Sequence, residues 1–226
     1  LLAAHRPTAF DYAGAAGGYI DRLGFTFCRG RLFACTEADE GQYDRPRAVF
    51  WACGTALLLR LEAVRAAGYL DPDFRMHFEE IDLCWRLQLA GHTVLAVPGS
   101  VVYHHSGYSL PSRSWRKAYL NHRNNLVTLI KNLDLGPLCR LLPIRIGLEL
   151  AAVAAYLARG ELAAALAPPA ALGWLATHPL SLLRRRRCGR RALAPAGRAS
   201  ARLRGPGVYQ GSAVWAYYGR RVRRAG

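Results

Sequence analysis

The 226-residue sequence predicts an α/β fold, a mixed sheet flanked by helices. Three neighbouring stretches predict it. Residues 49–59 (VFWACGTALLL) form a nearly continuous apolar run, the pattern of a strand buried on both faces. Residues 79–90 carry acids at their start and Arg86 further along, with Gly91 just beyond, which are the start and stop signals of a helix. Residues 92–97 read as a strand ended by Pro98. Strand, helix and strand in that order point to a layered α/β architecture.

The remaining elements follow in order. Residues 1–48 are rich in Gly, Asp and aromatics, with little periodicity, and predict an ordered loop region with short strands. The glycines at 14, 17 and 18 do not form a phosphate loop, because no strand leads in and no helix follows. Within 49–59, Gly54 marks a bend or a close approach. Residues 61–67 predict a short helix stopped by Gly68, and 69–74 a turn. Residues 101–103 form a short extended piece leading to His104 and His105, and 113–132 predict a long helix. After Gly136-Pro137 come two Ala- and Leu-rich runs, 148–157 and 162–175, the second broken by Pro168-Pro169. Neither reaches the ~18 apolar residues of an upright membrane span. They are expected to be interfacial helices at a membrane surface, the alternative being Ala-rich helices packed on the core.

Charge divides the chain. The net charge is +16, yet residues 1–161 hold all 15 acids against 18 Lys and Arg, whereas 162–226 hold 13 Arg and no acid. Three parts are therefore expected: 1–135, a nearly balanced domain; 136–183, amphipathic interfacial helices; and 184–226, an Arg-rich tail. The tail suits an anionic membrane surface, although Arg-rich composition also follows from coding bias. No nucleic acid is expected as a partner, because the tail lacks a recognition-module pattern. The six cysteines form no CxxC pair and no zinc-ribbon spacing, and reduced thiols are expected.

Two segments carry chemistry. Glu79, Glu80 and Asp82 cluster at a predicted helix start, where partial positive charge and free N–H groups can hold several carboxylates. One of them beside a substrate hydroxyl is a candidate general base; the alternative is a capping and solvating acidic patch. His104 and His105 end a strand-like piece, and imidazole is a common metal ligand, though surface His pairs are common too.

Together these segments resemble the C-terminal catalytic stretch of family 2 glycosyltransferases of the GT-A fold, rhamnosyltransferase-like members above all. The motif residues are Gly68, Leu70-Asp71, Phe74, Glu79-Glu80, Asp82-Leu83 and Arg86, then Pro98, Ser100 and His104. The resemblance reaches back to residues 17–22 and 41–43, and forward to 121–125 and 131–132. It implies that Glu80 is the catalytic base, supported by Glu79 and Asp82. It implies that His104 helps to hold Mg2+ or Mn2+ and the diphosphate, with His105 as a substitute. Gly54 would let substrate approach the backbone, Arg86 belongs to the same motif, and Trp51 and Trp85 could stack on sugar or belong to the core.

The implied activity is inverting transfer of a sugar from a nucleotide-sugar donor to a glycan or lipid-linked acceptor in cell-envelope synthesis. The implied location is cytoplasmic, peripheral to the inner face of the cell membrane. The family's nucleotide-binding half, with its DxD motif, does not precede Leu1. Asp71-Pro72-Asp73 aligns instead with the turn before the base. The chain is thus expected to be a truncated, inactive fragment. The competing expectations are a basic nucleic-acid-binding protein, a membrane-associated non-enzymatic protein and an inactive scaffold.

Overall fold

The computed structural model describes residues 1–105, 114–193 and 203–224. Its strands are β1 (Leu2–Ala3), β2 (Arg6–Phe10), β3 (Gly18–Asp21), β4 (Thr26–Cys28), β5 (Arg31–Leu32), β6 (Cys35–Thr36) and β7 (Arg47–Val49). Helices α1 (Leu61–Ala66) and α2 (Glu79–Leu89) follow, then β8 (Val94–Ala96) and β9 (Tyr103–His104). The rest is α3 (Trp115–Asn132), α4 (Leu135–Ala158), α5 (Leu162–Ala165), α6 (Ala167–Thr177), α7 (Pro179–Leu193) and β10 (Val208–Tyr209). The fold is α/β with small mixed sheets. β2-β1-β9 has a parallel β1/β9 pair, β10-β3-β4-β5-β6 a parallel β10/β3 pair, and β7 runs antiparallel to β8.

Local signals set the ends of the central elements. Gly68 and Gly91 adopt φ of +83° and +89° after α1 and α2, a conformation that carries no steric cost only in glycine. Ser114 caps α3 by accepting from the Lys117 amide at 3.2 Å. Arg113, the expected first residue of this helix, lies outside the described residues. The apolar faces of α2 and α3 meet the sheets in one core that includes Phe10, Ile20, Phe50, Trp51, Phe74, Phe78, Trp85 and Leu129.

Several expectations need correction. The strand expected over 49–59 is only three residues long, Arg47–Val49. Beyond it, the Gly18 amide and carbonyl bond to Trp51 and Phe50 in place of a ladder, and Gly54–Ala56 forms a tight 3-10 turn. Leu58 is accordingly 99% exposed instead of buried in a strand. The run expected over 148–157 is the end of a 24-residue helix, α4, which is long and apolar enough to cross a membrane by length and composition. It tolerates Pro137 in its first turn, where amides have no helical partner anyway, and carries Pro143 inside. Pro168-Pro169 does not break a helix but opens one, standing in the first turn of α6.

The basic tail is not free along its described length. α7 packs on α3, and Arg186 donates to the carbonyls of Ile130 and Leu133 at the C-terminus of α3. Arg185 reaches Asp73 at 3.0 Å and Arg190 reaches Asp134 at 3.1 Å. Further on, β10 joins β3, and Asp21 accepts from the Ala213 amide at 2.8 Å. α4 is tied to α3 through Arg145, which donates to Asn125 and Glu149, each at 2.7 Å, and through a His122–Glu149 hydrogen bond.

Candidate active site

The segment that launches α2 is built under constraint. Arg75, His77 and Phe78 all take positive φ, at 63°, 66° and 73°, although none is glycine. Such conformations cost roughly 1–3 kcal/mol each and persist where surrounding contacts over-determine them. Here the contacts come from α3. Asn124 is fully buried, and its side-chain amide lies 3.1, 2.8 and 2.7 Å from the carbonyls of Phe74, Met76 and His77. Arg123 adds a 3.0 Å bond to the Asp73 carbonyl. Phe78, the residue before the helix, offers no side-chain cap, so the first turn of α2 keeps its N–H groups for the acids that follow.

The three acids part company there. Asp82 is wholly buried and faces inward. It accepts from Arg86 Nε at 2.9 Å, Lys131 Nζ at 2.8 Å and Asn132 Nδ2 at 2.8 Å. With both oxygens engaged it holds α2 to α3, and the partners it orients are the basic Arg86 and Lys131 rather than an acceptor. Glu79 and Glu80 are different. Each has a carboxylate oxygen that is shielded from solvent and meets no hydrogen-bond donor. Burial, reinforced by Glu79, pushes the Glu80 carboxyl up from 4.5 to about 7, while the Glu80 and Ile81 amides pull the other way. Glu79 is also raised, by burial. The His77 Nε2 atom is likewise buried without a partner, and burial lowers that imidazole. Gly54 lies next to the start of α2: a Cβ there would stand 3.9 Å from the Glu80 Cβ, an ordinary contact.

The other expected residues fall in two places. Trp85 is 2% exposed, edge-on to Phe50, and Trp51 is 5% exposed, packed over Gly18 and donating to the Tyr19 carbonyl at 3.1 Å. Neither has a face left for a sugar, so both are core residues. Arg86 is buried on Asp82 and the carbonyls of Ala67 and Tyr69, and does not line a cleft. His104 lies on β9, beside Ala3 of β1, with Nδ1 2.8 Å from Asp11 Oδ1, and Asp11 is 1% exposed. His105 is exposed, its ring 6.4 Å from that of His5. A series of close contacts runs between the two groups: Asp11 bonds to Leu1, Leu1 touches Gly14, Gly14 abuts Cys53, and Cys53 opens the Gly54 turn.

The fit to a divalent cation rests on the Asp11–His104 pair. A carboxylate on one ring nitrogen is the arrangement that orients a ligating histidine. Among the described residues no cluster of three or more His, Cys, Asp or Glu gathers to hold a metal. Sequence reasoning missed Asp11, His77 and Asn124. Asn124 stood within the 121–125 stretch, but only the folded segment shows what its amide holds.

Comparison with known proteins gives a partial match. Over 63 residues the chain is 38% identical to the N-acetylglucosaminyl-diphospho-decaprenol L-rhamnosyltransferases of two Mycobacterium tuberculosis strains, CDC 1551 / Oshkosh and ATCC 25618 / H37Rv. The match covers 28% of this chain and a fifth of the length of those relatives. No family model and no solved structure matches. The similarity supports a relationship to glycosyltransferases in general.

Proposed function

We propose that the chain carries the acceptor side of an inverting glycosyltransferase of family 2, with a GT-A arrangement, and that Glu80 is its general base. The observation that carries the reading is the pair of unpartnered carboxylate oxygens of Glu79 and Glu80 at an uncapped helix start, beside the bare Gly54 turn. Asp82, by contrast, has side-chain donors on both of its oxygens. A carboxylate near 7 is half ionised at neutral pH and binds a proton strongly enough to draw one from a hydroxyl in flight.

In this reading Glu80 takes the proton of an acceptor hydroxyl as that oxygen bonds to the anomeric carbon. The carbon's bond to the donor's diphosphate breaks, the electron pair leaves with the diphosphate, and configuration inverts. Glu79 keeps Glu80 basic by like-charge repulsion. His104, oriented by Asp11, is the ligand this chain would offer to Mg2+ or Mn2+, which when bound supplies Lewis-acid stabilisation of the departing diphosphate. The nucleotide-sugar donor, a glycan or lipid-linked acceptor and a place on the inner face of the cell membrane belong to the same proposal. The lipid-diphosphate acceptor in the relatives' name and the exposed apolar side of α4 support it.

The test is sugar transfer from a panel of nucleotide-sugars by the longest expressed protein containing this chain, with and without Glu80→Gln. Transfer should fall about 10²–10⁴-fold with the fold retained, and the parent's rate should rise with pH through about 7. Full activity in Glu80→Gln would overturn the assignment.

A further inference from the structure

Away from Glu80, at the other end of β7, the chain forms a cleft of about 430 Å3 lined by Arg29, Gly41, Gln42, Asp44, Arg45, Pro46 and Arg47. Three guanidiniums stand there against one carboxylate, and among the described residues none of the three forms an ion pair. Arg29 is the informative one. It is 6% exposed, and its Nη1 is shielded from solvent with no hydrogen-bond partner. Its backbone is locked between Gly17 and Ala16 by two 2.9 Å bonds, and its guanidinium lies 4.7 Å above the Tyr43 ring. Burial, with the Arg47 charge adding to it, pushes the Arg29 guanidinium below its ordinary value. Leaving a buried cation without an anion is costly, so folds generally pair it, within the chain or with a ligand.

We propose that this cleft is a binding site for a phosphate or diphosphate group, held by the planar fork of Arg29 and the flanking Arg47, with Arg45 at the mouth. A fork of N–H donors matches two phosphate oxygens at once, which a point charge does not. The volume falls in the range of ligand pockets and leaves room for a group attached to the phosphate. The site is separate from Glu80 and does not rest on the transferase reading.

Calorimetric titration of this chain with inorganic pyrophosphate tests it, beside Arg29→Lys, Arg47→Gln and the control Arg187→Gln on the exposed side of α7. Pyrophosphate should bind; Arg29→Lys and Arg47→Gln should each weaken it about tenfold, and Arg187→Gln should leave it unchanged. Arg47 is exposed, so its variant decides the matter even if Arg29→Lys fails to fold. Equal affinity in all four proteins, or no binding by the parent at about 1 mM pyrophosphate, overturns the site. Uridine diphosphate and farnesyl diphosphate form the further arms. Whichever binds more tightly than pyrophosphate, and does so through Arg29, supports the site and identifies the carrier as nucleotide or isoprenoid.

Discussion

Glu80 and Asp82 stand two residues apart on one helix and have opposite electrostatic fates. Glu80 is held up to about 7 in the folded protein. Between pH 4.5 and 7 the folded chain keeps a proton that the unfolded chain gives up. Its contribution to stability is therefore complete below pH 4.5 and is lost as pH rises through 7, a loss on the order of 3 kcal/mol. Glu80→Gln, neutral at every pH, should raise the melting temperature at pH 8 by more than at pH 5, and equal melting shifts at both would contradict the buried, unpaired placement. Asp82 sits among Arg86, Lys131 and Asn132, so removing its charge leaves the buried Arg86 without a carboxylate and Lys131 with Asp71 alone. Asp82→Asn should cost about 3–5 kcal/mol in denaturant unfolding. A loss of transfer in that variant without a loss of stability would restore Asp82 to the site.

At the scale of elements, α3 shapes the start of α2 through one side chain. Asn124 binds three carbonyls of the strained segment that precedes Glu79. Asn124→Ala takes this donor from the Met76 and His77 carbonyls, leaves that of Phe74 to the Met76 amide and Arg123, and loosens the positive-φ residues, so it should destabilise the fold by about 2–4 kcal/mol. In the transferase reading it should also lower kcat while leaving the donor KM unchanged, because the base moves and the donor contacts do not. A variant that lost stability but kept kcat would limit Asn124 to a structural role. Elements of this kind were unevenly legible in the sequence. Gly68, Gly91 and the acids at 79–82 fix helix ends by local rules, and α1, α2 and α3 stand close to where the pattern predicts them. The 49–59 run was not legible as it folds, because apolar content signals burial and not hydrogen-bond geometry, and Gly18 supplies the partner that ends the strand. Trp51 and Trp85 took the core alternative to sugar stacking, and the motif residue Arg86 is committed to Asp82 and two carbonyls. Asp11 could not be joined to His104 from sequence, since 93 residues separate them and only the β1/β9 pairing brings them together.

The molecule as a whole presents one side that water does not suit. α4 turns Arg145 and Glu149 into the protein, both 1% exposed, and shows Ile144, Leu150 and Leu157 outward, continued by Leu162 and Leu166. In the proposed membrane reading α4, tied to α3 on one side through Arg145–Asn125 and His122–Glu149 and apolar on the other, lies along a bilayer rather than crossing it. α7 supplies the matching charge. Arg185, Arg186 and Arg190 are committed inward, whereas Arg184, Arg187 and Arg191 stay exposed along one stripe beside Leu180 and Leu183. Each such arginine near an anionic surface contributes about 1 kcal/mol, so the three together are worth on the order of 100-fold in binding. Flotation with vesicles rich in phosphatidylglycerol should carry the protein up at low salt. Phosphatidylcholine vesicles should carry much less, and high salt should release it as the Debye length shrinks. The triple change of Arg184, Arg187 and Arg191 to Gln should weaken anionic binding about 100-fold, and carbonate should extract the protein. Retention through carbonate, removable only by detergent, would mean that α4 inserts, and salt-independent binding to neutral lipid would mean that the arginine stripe has no part in docking.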